Sequence, residues 1–148
     1  MNTAMDQFRM KKVLLVEDHP ELLEILTWQM ESMGFSVIAA NNGKEGVKKA
    51  IEENPYLILM DIMMSGMDGR EATRIIRSNP ETQDIPILAA TVLSKESDLR
   101  SCIEAGCSDY IVKPFTTQEL RDKILDCIPS IKGYAAAQKS SLSSQSPR

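Results

Sequence analysis

The pair Glu17 and Asp18 follows directly on the apolar residues Val13, Leu14, Leu15 and Val16, and Asp61 follows on Leu57, Ile58, Leu59 and Met60. Thr91 stands in the same relation to residues 87–90, and Lys113 to residues 110–112. Short apolar runs separated by stretches of helical period predict the strands of a parallel sheet. Ligands of such sheets gather outside the carboxyl ends of the strands. Four strands would therefore bring three carboxylates, a hydroxyl and an ammonium to one place. Taken singly, each of these residues reads as an ordinary helix cap or solvated loop residue. Their recurrence on four strands is what points to chemistry.

Three crowded carboxylates repel one another and drive one pKa upward unless a cation sits among them. An all-oxygen ligand set suits a hard divalent ion, Mg2+ rather than zinc, since the single histidine, His19, has no cysteine near it. His19 itself reads as a loop or helix-entry residue. Mg2+ on one side and the Lys113 ammonium on the other would cradle a phosphoryl group, with Asp61 as nucleophile and the Thr91 hydroxyl donating to a phosphoryl oxygen. Positioning and charge neutralisation carry such a transfer, so a general-base histidine is not required.

The composition sets the frame for that site. A chain of 148 residues, 43% apolar and 26% charged, fits one globular domain with a buried core. A net charge of −4 argues against direct nucleic-acid binding. The first dozen residues lack the apolar stretch of a secretory signal and no segment has the length of a membrane span, so the expected location is cytoplasmic, away from the membrane. Cys102, Cys107 and Cys127 are odd in number and form no C-x-x-C pair, which predicts reduced core thiols.

Five βα units account for the rest. Pro20 opens a first helix with Leu22, Leu26, Met30 and Met33 on one face and Gly34 at its end. Residues 35–39 alternate in polarity like an edge strand, whereas 57–60 are apolar throughout, like a central one. The second helix begins at Asn42, the third spans about 68–78 with Ala72, Ile75 and Ile76 inward, and Pro86 starts the fourth strand. The fourth helix runs from near Ser94 to Gly106, and the fifth opens with a Thr116–Glu119 capping box and stops at Pro129. Residues 1–10 are expected to form a flexible N-terminal segment, 11–132 the folded domain and 133–148, rich in Ala, Ser and Gln, a disordered tail.

Across residues 11–129 the chain resembles the receiver domain of two-component response regulators. The resemblance is carried by Leu14-Leu15-Val16-Glu17-Asp18, by Leu59-Met60-Asp61-Ile62-Met63-Met64 with Gly66-Met67-Asp68-Gly69, by Thr91, by Ala105-Gly106 and by Tyr110-Ile111-Val112-Lys113-Pro114-Phe115. It implies a flavodoxin-like, doubly wound α/β fold, with a five-stranded parallel sheet of order 2-1-3-4-5, helices on both faces and a cis bond between Lys113 and Pro114. It implies that Asp61 is the phosphoacceptor, that Glu17, Asp18, Asp61 and the Met63 backbone carbonyl bind Mg2+, and that Lys113 contacts the phosphate. Thr91 and Tyr110 are then the switch pair, acting on the face formed by the fourth helix, fifth strand and fifth helix. The implied partners are a histidine kinase or histidine phosphotransfer protein, a downstream protein target, and a second copy in a phosphorylation-dependent homodimer. With no output domain of its own expected, the protein would be a signalling switch, its catalysis limited to self-phosphorylation and self-dephosphorylation.

Three residues depart from that pattern. Glu17 replaces the more frequent aspartate, Ser65 stands where proline is usual and is expected to loosen the loop, and Val92 stands where a small residue is usual. Val92, flanked by the apolar Met63 and Leu93, is expected to narrow access to Asp61. Other readings remain open at this level. A phosphohydrolase would want a second aspartate where Met63 stands, a flavin carrier would want a hydroxyl-rich loop where residues 17–20 are acidic, and a degenerate receiver would lack some of these side chains.

Overall fold

In the computed structural model, which describes residues 8–128, five parallel strands alternate with five helices. They are β1 (Lys12–Val16), α1 (Pro20–Ser32), β2 (Ser36–Ala40), α2 (Gly43–Glu53), β3 (Leu57–Asp61), α3 (Gly69–Ser78), β4 (Ile87–Thr91), α4 (Glu96–Ala105), β5 (Asp109–Val112) and α5 (Thr117–Cys127). The sheet order is β2-β1-β3-β4-β5, as the resemblance implies. Order reverses between β1 and β3, which opens a crevice at their carboxyl ends where helices leave toward opposite faces.

Alternation along the strands divides the core in two. Val13, Leu15, Leu57, Leu59 and Leu88 pack with Leu26 and Met30 of α1 and Leu120 and Ile124 of α5. Leu14, Val16, Ile58 and Met60 face the other way, against Ala50 of α2, Ala72 and Ile76 of α3 and Cys102 of α4. Both central strands, β3 and β4, are buried along their whole length, while β2 is only partly covered, as its edge position requires.

Local signals set the helix ends. Asn42 accepts from the Glu45 N–H at 2.8 Å, and Thr116 and Glu119 form a reciprocal capping box. Gly106 ends α4 at φ 116°, a left-handed conformation that glycine adopts without cost. The three cysteines are buried and form no disulfide, and burial pushes the Cys107 thiol up to about 11, so it stays protonated. No described helix is long and apolar enough to cross a membrane.

Two expectations need correction. The supposedly flexible first ten residues end in structure: Phe8 is fully buried and stacks on Phe35 with ring centroids 4.8 Å apart, and the Met10 N–H donates to Gly34 O at 2.9 Å. A lone aromatic in a polar stretch has no periodicity to reveal its burial. Ile75, expected inward, is 38% exposed, and Thr73 takes the buried position with its hydroxyl donating to Gly69 O at 2.8 Å. Residues 1–7, the expected end of the domain at 129–132 and the 133–148 tail lie outside the described residues.

Candidate functional site

Glu17 and Asp18 emerge from the end of β1, where the Glu17 N–H continues the sheet by donating to Ala40 O at 3.0 Å. Asp61 is the last residue of β3. One carboxylate oxygen from each of Glu17, Asp18 and Asp61 lies within 4.8 Å of the other two. The Lys113 Nζ comes across from the end of β5 and donates to Glu17 Oε1 and to Asp61 Oδ1, each at 3.0 Å. The Lys113 N–H donates to Thr91 O at 2.7 Å, and the bond to Pro114 is cis. Two further oxygens are also held, since His19 N–H donates to Glu17 Oε2 at 3.2 Å and Ser65 N–H to Asp18 Oδ2 at 3.1 Å.

The electrostatics follow from burial. Glu17 and Asp61 are 2% and 4% exposed. Desolvation lifts the Asp61 carboxyl to about 6, the Lys113 hydrogen bond and charge oppose that rise, and Glu17 adds to it. Three carboxylates against one ammonium give the ionised pocket a formal charge of −2. Purely oxygen donors, two of them on nearly buried carboxylates and all facing one cleft, fit a hard divalent cation of matching charge. The cleft has a volume of about 420 Å³ and is open, with Met63 and Val92 at its mouth.

The other expected site residues stand close by but are differently engaged. Thr91 ends β4, buried, and its Oγ1 accepts from the Leu93 N–H at 2.9 Å, so the hydroxyl proton is left for another acceptor. Tyr110 is half-buried on β5 in register with Ala89, two residues before Thr91, and the Lys123 ammonium lies 5.0 Å from its ring centroid. Met63 is 53% and Val92 61% exposed. The Ser65 N–H ties the loop to Asp18, a bond a proline has no donor to make.

Gly69 is a residue whose role the motif alone did not disclose. A Cβ there would collide with the carbonyl oxygen of Asp61 and come within 2.8 Å of the Ile62 Cα. Only glycine lets α3 start against the backbone that presents the acceptor. Gly69→Ala is expected to cost about 1–3 kcal/mol of stability by overpacking and to weaken Mg2+ binding as Asp61 shifts. Denaturant unfolding and calorimetric titration check both, and a neutral substitution would contradict this packing.

A doubly wound parallel sheet with an acidic trio and an opposing lysine at its switch point defines a phosphoaccepting switch dependent on Mg2+. The chain belongs to the response regulator receiver domain family, whose model matches residues 13–125. It is 39% identical over 116 residues to the transcriptional regulatory protein ResD of Bacillus subtilis, an alignment covering 78% of this chain and 47% of ResD. The chain thus spans about half the length of that relative. It is 37% identical over 111 residues to protein PilH of Pseudomonas aeruginosa, covering 75% of this chain and 92% of PilH. Among solved structures, the receiver domain of a sensor histidine kinase from Pseudomonas aeruginosa PAO1, with a magnesium ion coordinated in its active-site cleft, superposes with a TM-score of 0.76. The two are 32% identical, with 81% of this chain and 98% of that one covered. The domain's own chemistry is that of a receiver, phosphorylation and dephosphorylation of itself.

Proposed function

We propose that Asp61 is the acceptor, that Glu17, Asp18, Asp61 and the Met63 carbonyl hold Mg2+, and that Lys113, Thr91 and Tyr110 couple the modification to the surface. The observation carrying this reading is the Lys113 ammonium held 3.0 Å from both Glu17 and Asp61 at the point where three carboxylates converge. An Asp61 oxygen attacks the phosphorus in line, a P–O bond forms, and the P–N bond of a phosphohistidine breaks with the electron pair leaving on imidazole. When bound, Mg2+ supplies positive charge that offsets the gathering oxygens. Lys113 then moves from its carboxylates to a phosphoryl oxygen, and the Thr91 hydroxyl donates to another. Drawing Thr91 inward changes the space beside Tyr110 and hence the face of α4, β5 and α5.

The donor is a histidine kinase or histidine phosphotransfer protein, and the output is a downstream protein, or a second copy, docking on that face. The proposed compartment is the cytoplasm, a reading supported by three buried cysteines that form no disulfide among the described residues. Borohydride reduction of protein treated with acetyl phosphate and Mg2+, followed by peptide mapping, tests the acceptor. Homoserine is expected at position 61, and its appearance at another carboxylate would overturn the assignment.

Val92 lines the same cleft as Asp61 and is 61% exposed, so its branched side chain is placed to narrow the approach to the acceptor. Val92→Ala is expected to speed phosphoryl uptake from acetyl phosphate, and loss to water, by about threefold, under 1 kcal/mol of barrier. Unchanged rates in stopped labelling would mean that Val92 does not gate the site.

A further inference from the structure

The loop between β3 and α3, residues 62–68, is tied at two points. Near its middle the Ser65 N–H holds Asp18 Oδ2 at 3.1 Å. At its end Asp68 caps α3, accepting from the Arg70 N–H at 2.7 Å, and its carboxylate is gripped by the same residue's side chain, Nε to Oδ1 at 3.1 Å and Nη2 to Oδ2 at 3.0 Å. The third nitrogen of that guanidinium, Nη1, donates to the hydroxyl of Ser101 on α4 at 2.9 Å, and Ser101 Oγ donates to Asp98 O at 2.6 Å. The planar fork of an arginine can satisfy a carboxylate with two donors while a third points elsewhere, which a lysine ammonium cannot match in geometry.

From these contacts we propose that Arg70 is a positioning residue for the metal site, holding the loop that orients Asp18 and Met63 against α4. It touches neither the acceptor nor the phosphoryl group. It acts because the loop's middle is tied to a ligand carboxylate and its end, through Arg70, to a helix of the signalling face. This link is separate from the Thr91 and Tyr110 pair. Coupling is reciprocal: if α4 steadies the loop for Mg2+, then Mg2+ steadies α4 by the same factor.

The inference rests on the reading of Glu17, Asp18 and Asp61 as Mg2+ ligands, and one titration separates the two. Mg2+ affinity of the full chain is measured by calorimetry for wild type, Arg70→Ala, Arg70→Lys, Ser101→Ala and the Arg70→Ala/Ser101→Ala pair. Arg70→Ala and Ser101→Ala are each expected to weaken binding about fivefold, with the double variant no weaker than the worse single one, and with Arg70→Lys matching Ser101→Ala. Mg2+ should also slow amide exchange in α4 of wild type and not of Arg70→Ala. Single variants within twofold of wild type, or losses that multiply in the double variant, would overturn the bridge. A wild type that binds no Mg2+ would instead overturn the metal-site reading on which it stands. Should Arg70→Ala fail to fold, Arg70→Lys and Ser101→Ala decide the matter by the same criteria.

Discussion

Lys113→Met is expected to cut phosphoryl uptake about a hundredfold, the usual cost of losing one preorganised donor to developing charge, while tightening Mg2+ binding. The two effects have one cause. Before transfer the ammonium sits between Glu17 and Asp61 and occupies an oxygen of each, so it competes with the metal for its ligands. Without it the ionised pocket changes from a formal −2 to −3, and a divalent cation about 6 Å away is held more firmly, by at least about tenfold even with the full screening of bulk water. The metal-free variant should also lose about 3 kcal/mol or more of stability, because two nearly buried carboxylates are left facing each other. Calorimetric Mg2+ titration alongside labelling from acetyl phosphate gives both numbers. Weaker Mg2+ binding in Lys113→Met, or uptake within threefold of wild type, would contradict this placement of the lysine.

The second large effect concerns Asp61 as a burden on the metal-free fold. Its carboxyl is raised from 3.8 to about 6, chiefly by burial. Below the unfolded value the group is protonated in both states and does not oppose folding. As pH rises toward and through 6 the unfolded chain gives up the proton more readily than the folded one, and stability is lost across that window. Above it the cost is on the order of 3 kcal/mol, because each tenfold rise in proton affinity on folding is worth about 1.36 kcal/mol. In chelator at pH above 7, Asp61→Asn is therefore expected to be the more stable protein by roughly 1–3 kcal/mol, with the gap closing near pH 4. Saturating Mg2+ should reverse the order, since wild type gains binding free energy that the amide largely forgoes. Urea unfolding of both proteins across pH, with and without Mg2+, checks the sign. An Asp61→Asn less stable than wild type in chelator would contradict the burial argument.

Much of the site was legible because the chemistry lies at strand ends. An apolar run of four followed by Asp61 tells both where the strand stops and which side chain it offers, and the same holds for Glu17 with Asp18 and for Lys113. The sheet order and the cis Lys113–Pro114 bond came from the family pattern, since spacing alone does not order parallel strands. What stayed hidden depends on through-space neighbours. Phe8 is buried because Phe35 happens to offer a ring, and Ile75 lies outward because Thr73 can bury its hydroxyl against Gly69 O. The Ser65 bond to Asp18 is a backbone contact that residue identity could only permit, by not being proline. Arg70 reads on a helix as a solvated charge, and only the approach of Ser101 reveals its second partner.

The central claim is that Asp61, backed by an acidic pair and a lysine, accepts a phosphoryl group when Mg2+ is present. Intact-mass measurement after incubation with acetyl phosphate tests it most directly, on wild type with Mg2+, wild type in chelator, and Asp61→Asn with Mg2+. A gain of one phosphoryl in the first sample alone is the expected result; a gain that persists in Asp61→Asn, or none in wild type with Mg2+, would contradict it.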